Sequence, residues 1–179
     1  MLVGVDANFL SPKASVRAAG EGWRTVVIAP IDAGETVAAF GGSCLTRSEL
    51  NEMTAGQQAQ AIQIDEDLFM VGETAAVTGA TINHSCAPNC GIRAGVLVVA
   101  VRDIAVGESL AYDHAMSSGS DFNDFECGCG AASCRHKVTG NDWMLVELQL
   151  AYRGYFSAYL AKRIAALVTV GAERRAFAL

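Results

Sequence analysis

Two short stretches concentrate the reactive side chains of this chain. Residues 81–90 read "TINHSCAPNC", with two cysteines, a histidine, two asparagines and a proline in ten residues. Residues 125–136 read "FECGCGAASCRH" and place Cys127, Cys129 and Cys134 in a C-x-C-x4-C pattern. Three thiolates this close, separated by glycines and small residues, can wrap one ion. Zinc prefers four tetrahedral ligands and is well served by sulfur. The pattern is one ligand short, and Cys86 of the first stretch is the candidate fourth, with Cys90 and His136 as rivals. Four protein ligands leave no open position, so such a zinc would be structural. Cys44 stands alone and reads as a small buried residue.

The elements that must position these groups are short strands and turns. "SVRAAGEGWRTVVIA" predicts two strands around a glycine turn, and "IDAGETVAAFGG" a turn, a strand and a further turn. Residues 46–60 predict a helix with a capping box between Thr46 and Glu49. "AIQIDEDLFMVG" alternates like a strand pair. "GIRAGVLVVAVRDIAVGESLAYD" holds a buried strand, a glycine turn and a second strand. From Asn141 the chain becomes helical: Trp143, Val146 and Leu150 are expected on one face, and Phe156, Leu160, Ile164 and Leu167 on another. The break at "YRGY" separates two helices, whose apolar stripes are expected to pack on the domain.

With 179 residues, 51% of them hydrophobic, the chain can bury one core. Its formal net charge is −6, which argues against nucleic acid, whose binding needs clustered Lys and Arg. An acidic surface suits a basic, lysine-rich partner. No stretch reads as a signal peptide or a membrane span. A cytoplasmic location is therefore expected, and there clustered cysteines more often bind metal than form disulfides.

Taken together, the motifs resemble the SET domain, the fold of protein-lysine methyltransferases that use S-adenosylmethionine. "GEGW" (residues 20–23) followed by "IDAGETVAAFGG", then "NHSCAPN" (83–89), "GESLAYD" (107–113) and "CGCGAASCR" (127–135) run in that family's order. The C-terminal helices are similar to the tails of small bacterial SET proteins. The resemblance implies a mainly β (α+β) fold of several small sheets with a knot-like thread, the segment after Gly107 passing under a loop near Asn83. It implies a SET domain over residues 1–126, a post-SET zinc segment over 127–140 and a helical extension over 141–179, packed on the domain.

By the same resemblance Gly20, Glu21, Gly22, Trp23, Asn83, His84 and Tyr112 line the S-adenosylmethionine site. Cys86, Cys127, Cys129 and Cys134 hold one structural zinc. Tyr112 and His114 stand at the methyl transfer point, Tyr112 at the aromatic position that tunes how many methyls are added. Asp113 reads as a structural hydrogen-bonding residue. The implied reaction is methyl transfer to a lysine side chain of a protein or peptide. The chain departs from the pattern in "AYDHAM", where His114 occupies the position of the catalytic tyrosine. Imidazole can donate a hydrogen bond or accept a proton near neutral pH. Two other readings follow: a SET-fold module that binds cofactor or peptide without efficient turnover, and a zinc-tethered interaction protein without cofactor.

Overall fold

The computed structural model describes residues 8–20, 22–58, 60–72 and 81–176. Thirteen short strands are formed among them: β1 (Phe9–Leu10), β2 (Ala14–Ala19), β3 (Gly22–Val27), β4 (Thr36–Ala39), β5 (Ser43–Thr46), β6 (Ile62–Asp65), β7 (Leu68–Val71), β8 (Asn83–His84), β9 (Cys90–Arg93), β10 (Leu97–Ala100), β11 (Ala111–Tyr112), β12 (Phe125–Glu126) and β13 (Lys137–Val138). The helices are α1 (Arg47–Asn51), α2 (Ala55–Gln58), α3 (Val146–Ala151) and α4 (Ala158–Ala176). The strands build four sheets. The largest has the order β1-β4-β10-β9-β11-β8; the others are the β2-β3 hairpin, β5-β7-β6 and β12-β13.

Local rules account for most of these elements. Gly20, at φ +58, makes the β2–β3 turn, and Gly34, at φ +88, precedes β4. Thr46 caps α1 with the full capping box: its hydroxyl accepts from the Glu49 N–H while the Glu49 carboxylate accepts from the Thr46 N–H. The single helix expected over residues 46–60 is instead two. Thr54 and Gln57 repeat the same reciprocal bonds and start α2 afresh. Cys44, expected to be buried, is only half-buried in β5.

The C-terminal helices pack on the main core, with Trp143, Leu148, Tyr152, Phe156 and Leu160 all buried in it. One expected face is wrong. Trp143 is buried, but Val146 and Leu150 are 63% and 65% exposed. Trp143 lies in a separate 3-10 turn, and the extended backbone at Leu145 resets the register before α3 begins. Leu148 and Tyr152, four apart, carry the inward face instead. On α4, Phe156 (just before its start), Leu160 and Ile164 face the core as expected, whereas Leu167 is exposed. Among the described residues no helix is long and apolar enough to cross a membrane.

The central sheet contains one parallel insertion that positions the site. β11 runs parallel to β8 on one side, with Ala111 opposite Asn83 and Tyr112 opposite His84. On its other side Tyr112 lies opposite Cys90 of β9. Residues 85–89 join those two neighbours, so the segment ending at Tyr112 runs between the two arms of one loop. Asn89 fastens it there. Its side-chain Nδ2 donates to the Ser109 carbonyl and its Oδ1 accepts from the Ala111 N–H, both at 2.9 Å. The Asn89 backbone N–H donates to the Ala111 carbonyl, and the Ser85 N–H to that of Tyr112. This is the thread that the resemblance implies.

Candidate functional site

The β2–β3 turn and the β8 loop meet through one side chain. Asn83 Nδ2 donates to the Trp23 carbonyl at 2.9 Å. Nearby, the Thr25 hydroxyl donates to the Thr81 carbonyl at 3.0 Å, pinning β3 to the residues before β8. Gly20, Gly22 and Trp23 are thus brought beside Asn83, while Glu21 lies outside the described residues. A Cβ at Gly20 would meet nothing within 4 Å. Trp23 is 54% exposed and Asn83 is also exposed, so a large aromatic face and an amide border open space. A rigid turn that exposes backbone and an aromatic ring suits a ligand with both polar and planar parts.

The other wall is the end of β11. Tyr112 is buried, its ring 5.9 Å from Phe40 and 5.1 Å from His114. Burial pushes its hydroxyl up to about 12, so it is un-ionised at any physiological pH. His114 begins the 3-10 turn His114–Met116 and is ringed by His84, Tyr112 and Phe125. Its backbone N–H donates to His84 Nδ1 at 3.3 Å. Its own Nδ1 is buried and has no hydrogen-bond partner among the described residues. Burial, and then repulsion by His84, lower its pKa to about 4. The ring is therefore neutral at pH 7, with one nitrogen enclosed and unspoken for. A buried polar atom left in this way, as Trp143 Nε1 and Ser157 Oγ also are, has room for a water or a ligand atom as its partner. The donor and acceptor groups present suit the polar end of a cofactor or an incoming amine.

Asp113 is fully buried and fully occupied, in keeping with a structural role. Arg135 grips it at 2.6 and 2.8 Å, the Tyr152 hydroxyl donates to it at 3.0 Å, and its Oδ1 accepts from the Ala115 N–H at 3.0 Å. Burial opposes its ionisation, but the Arg135 guanidinium, the Ala115 N–H and His84 together outweigh burial and hold the carboxyl below its usual range. With every oxygen engaged it is not free to transfer a proton.

The cysteines converge behind this wall. Cys86, Cys127, Cys129 and Cys134 pack together with Val138 and Phe125. The Cys86 and Cys127 sulfurs are 4.0 Å apart. Sulfurs on a tetrahedral zinc at about 2.3 Å would be about 3.8 Å apart. Backbone N–H groups point at the sulfurs: Cys86 N–H at Cys129, Arg135 N–H at Cys86 and His136 N–H at Cys134, at 3.4–3.5 Å. Such donors are what metal-bound thiolates receive from their surroundings. Burial opposes ionisation of Cys129, but the N–H groups of Cys86 and Ala131 and the thiols beside it lower its pKa to about 6. Burial, then the Cys129 and Cys134 thiols and the charge of Cys86, push Cys127 up to about 12. The Cys129 thiolate forms readily here, whereas Cys86 and Cys127 need a cation to ionise, so the donor set fits a divalent metal.

The fourth ligand has two claimants. His84, Cys86, Cys127 and Cys129 offer donor atoms all within 4.8 Å of one another, and His84 Nε2 is 3.2 Å from the Cys86 sulfur. Cys134 touches the same cluster, its thiol 3.4 Å from the Cys127 carbonyl and interacting with Cys127 and Cys129. Cys134 lies outside that four-donor set, whereas His84 also accepts from the His114 backbone through its other nitrogen and packs against His114 and Phe125. Cys90 is elsewhere, buried in β9 with its thiol on Asn89. The side chain of His136 is exposed, and its backbone serves the cluster instead.

Asp142 and Tyr152 have no signature in the sequence, and Arg135 has only its place at the end of "CGCGAASCR". Arg135, Asp142 and Tyr152 converge on Asp113 or its clamp, Arg135 Nε donating to Asp142 at 2.8 Å. Only the adjacency of Arg135 to Cys134 hints at a place near the thiols. Phe125, which closes over both histidines, sits at the start of the cysteine run but is not marked by any spacing rule.

Comparison with known proteins agrees with this geometry. The family model described as "SET domain" matches residues 22–115. A histone-lysine N-methyltransferase, H3 lysine-4 specific, from Schizosaccharomyces pombe is 38% identical over 80 residues, covering 41% of this chain and 8% of that protein. Its counterpart in Eremothecium gossypii is 28% identical over 157 residues, covering 74% of this chain and 16% of that one. The chain thus spans a small part of the length of these relatives. Among solved structures, KRYPTONITE in complex with mCHH DNA, an H3(1-15) peptide and SAH superposes with a TM-score of 0.53 at 23% identity, over 72% of this chain and 30% of that one. The last likeness is one of fold.

Proposed function

The chain belongs to the SET domain family, and from that premise we propose that it is an S-adenosylmethionine-dependent protein-lysine methyltransferase with one structural zinc. The observation that carries this reading is the thread. It delivers Tyr112 and His114 to the loop that Asn83 ties to the Gly20–Trp23 turn. The relatives named as histone-lysine methyltransferases support the reaction class, and the neighbour holding SAH and a peptide supports a site for both. When bound, S-adenosylmethionine supplies an electrophilic methyl on a sulfonium.

The chain's own residues would do the following. Gly20, Gly22, Trp23, Asn83 and His84 bind and orient the cofactor. Tyr112, buried and un-ionised, gives the transfer point a wall that excludes water. A lysine with an ordinary pKa of about 10.4 must lose its proton before it attacks, and an enclosed apolar setting favours the neutral amine. His114, itself neutral, has one ring nitrogen that can accept a hydrogen bond from the amine, but with a pKa of about 4 it is too weak a base to hold the amine's proton. Asp113 holds the turn rather than transferring a proton. Cys86, Cys127, Cys129 and Cys134 would hold the zinc, whose part is to tie residues 127–134 to the β8–β9 loop. With a net charge of −6, the substrate we expect is a basic, lysine-rich polypeptide rather than nucleic acid, met in the cytoplasm.

His114 supports a second reading, in which the fold binds cofactor and peptide with little turnover. Transfer of labelled methyl from S-adenosylmethionine to a lysine-rich protein, run beside calorimetry with S-adenosylhomocysteine, separates the two. Binding without transfer to any substrate favours the second, and absence of both removes the proposal.

A further inference from the structure

Arg135 touches both the thiol cluster and the catalytic strand. Its backbone N–H donates to the Cys86 sulfur at 3.4 Å, and it directly follows Cys134. Its guanidinium reaches the other way. Nη1 and Nη2 bind the two oxygens of Asp113 at 2.6 and 2.8 Å, and Nε binds Asp142 at 2.8 Å. Asp113 in turn precedes His114 and caps its turn by accepting from the Ala115 N–H. Arg135 thus binds the Asp113 carboxylate with its side chain while its backbone donates to a cluster sulfur.

Resting on the methyltransferase reading above, we propose that Arg135 is a positioning residue that couples the state of the thiol cluster to the geometry at His114. The argument is one of geometry rather than stability. A buried ion pair of this kind contributes little net stability compared with an apolar pair of the same shape, because desolvation offsets the attraction. What the pair supplies is direction. The guanidinium is a rigid planar fork whose two arms fix both oxygens of Asp113, and the third donor fixes the fork against Asp142. If the loop of residues 127–134 shifts, the fork shifts with it, and the cap on the His114–Met116 turn loses its bearing. Alignment at a transfer point is sensitive to such movement, since about 1 Å of misplacement can cost on the order of 100-fold in rate. The Tyr152 hydroxyl, also on Asp113, anchors the same carboxylate to the end of α3 and reaches the Cys86 carbonyl at 3.5 Å, a contact with backbone and not with a sulfur.

The test uses the full chain loaded with zinc, as wild type, Arg135→Lys and the charge-neutral pair Asp113→Asn/Arg135→Gln. Lysine keeps the positive charge opposite Asp113 but has no fork, and the double variant removes the Asp113 and Arg135 charges together, leaving Asp142 with the Thr139 hydroxyl as its partner, should the single variant fail to fold. Zinc content is measured first and should stay at that of wild type in both. Amide hydrogen exchange over residues 110–118, which contain the Ala115 N–H, is then followed before and after zinc is stripped with a chelator. In wild type, stripping should speed exchange there; in both variants exchange should already be fast with zinc bound, and stripping should add little. Turnover should fall about 10–100-fold with the KM for cofactor and peptide within about twofold of wild type. The proposal is overturned if Arg135→Lys retains wild-type exchange and turnover, or if stripping speeds exchange equally in all three proteins. Should wild type transfer no methyl at all, the methyltransferase reading fails while the exchange data still decide the coupling.

Discussion

Asn89→Ala should loosen the thread, and the structure sets the size of the effect. The side chain is 5% exposed and makes two hydrogen bonds to the backbone of residues 109–111, both 2.9 Å long. Truncation orphans the Ala111 N–H and the Ser109 carbonyl. A buried polar group left unpaired costs about 1–3 kcal/mol. Ser109 and Ala111 are only half-buried, so water can reach part of what is exposed, and the sum falls toward about 2–3 kcal/mol. The backbone bond from the Asn89 N–H to the Ala111 carbonyl survives the change, so the fold should persist. Asn89→Asp is the informative companion. At neutral pH it keeps the acceptor for Ala111 but points a carboxylate at the Ser109 carbonyl, so it should cost at least as much as alanine. The introduced carboxyl has a raised pKa in the folded state, because its ionised form is buried and its neutral form regains a donor. Stability should therefore rise, relative to wild type, as pH falls through that raised value. Urea denaturation of the three proteins at several pH values, followed by tryptophan fluorescence, measures this. If Asn89→Ala lies within about 0.5 kcal/mol of wild type, or Asn89→Asp matches wild type at pH 7, the side chain is not what holds the thread.

Three further outcomes are expected. Elemental analysis of the purified protein should find about one zinc per chain, and Cys86→Ser should lower that occupancy and the thermal midpoint together; unchanged occupancy would pass the ligand role to His84. Asn83→Ala should weaken S-adenosylhomocysteine binding by about 1–3 kcal/mol, roughly 5–150-fold, by releasing the Trp23 carbonyl and the edge of the β8 loop; equal affinities in calorimetry would remove Asn83 from the site. His114→Tyr should raise the rate of methyl transfer, measured with saturating cofactor on one lysine-rich substrate, and a slower variant at every pH would make the histidine an adapted catalytic group. The same substitution has a signature in stability. The folded pKa of His114 is lowered to about 4, below its ordinary 6.5. Its contribution is therefore fully present above pH 6.5 and lost as pH falls toward 4, on the order of 3 kcal/mol in all. The variant should show a shallower loss across that window in thermal unfolding.

Much of this protein is decided by short stretches of sequence, and those parts were legible. The capping box at Thr46, the hairpin around Gly20 and the paired strands of residues 62–71 depend on neighbours a few residues apart. The thiols of residues 127–134 are close in the chain before they are close in space. The order of motifs carried the family. The remainder was settled by a second local cap that the apolar pattern hides, by a register break in the backbone and by contacts across long separations. Residues 46–60 broke into two helices because Thr54 offered a second cap, which a longer helix would have left unused. The inward face of α3 fell to Leu148 and Tyr152, because the extended backbone at Leu145 set a register that periodicity counted from Trp143 cannot see. The site owes its assembly to the parallel insertion of β11, which joins residues 83–84, 90 and 111–112. No propensity encodes such a pairing, since it depends on where three distant segments are when the core closes. Arg135 shows the division most plainly. Its place beside Cys134 is written in the chain, but its work is defined by Asp113, Asp142 and the Cys86 sulfur, which only the folded structure brings within reach of one side chain.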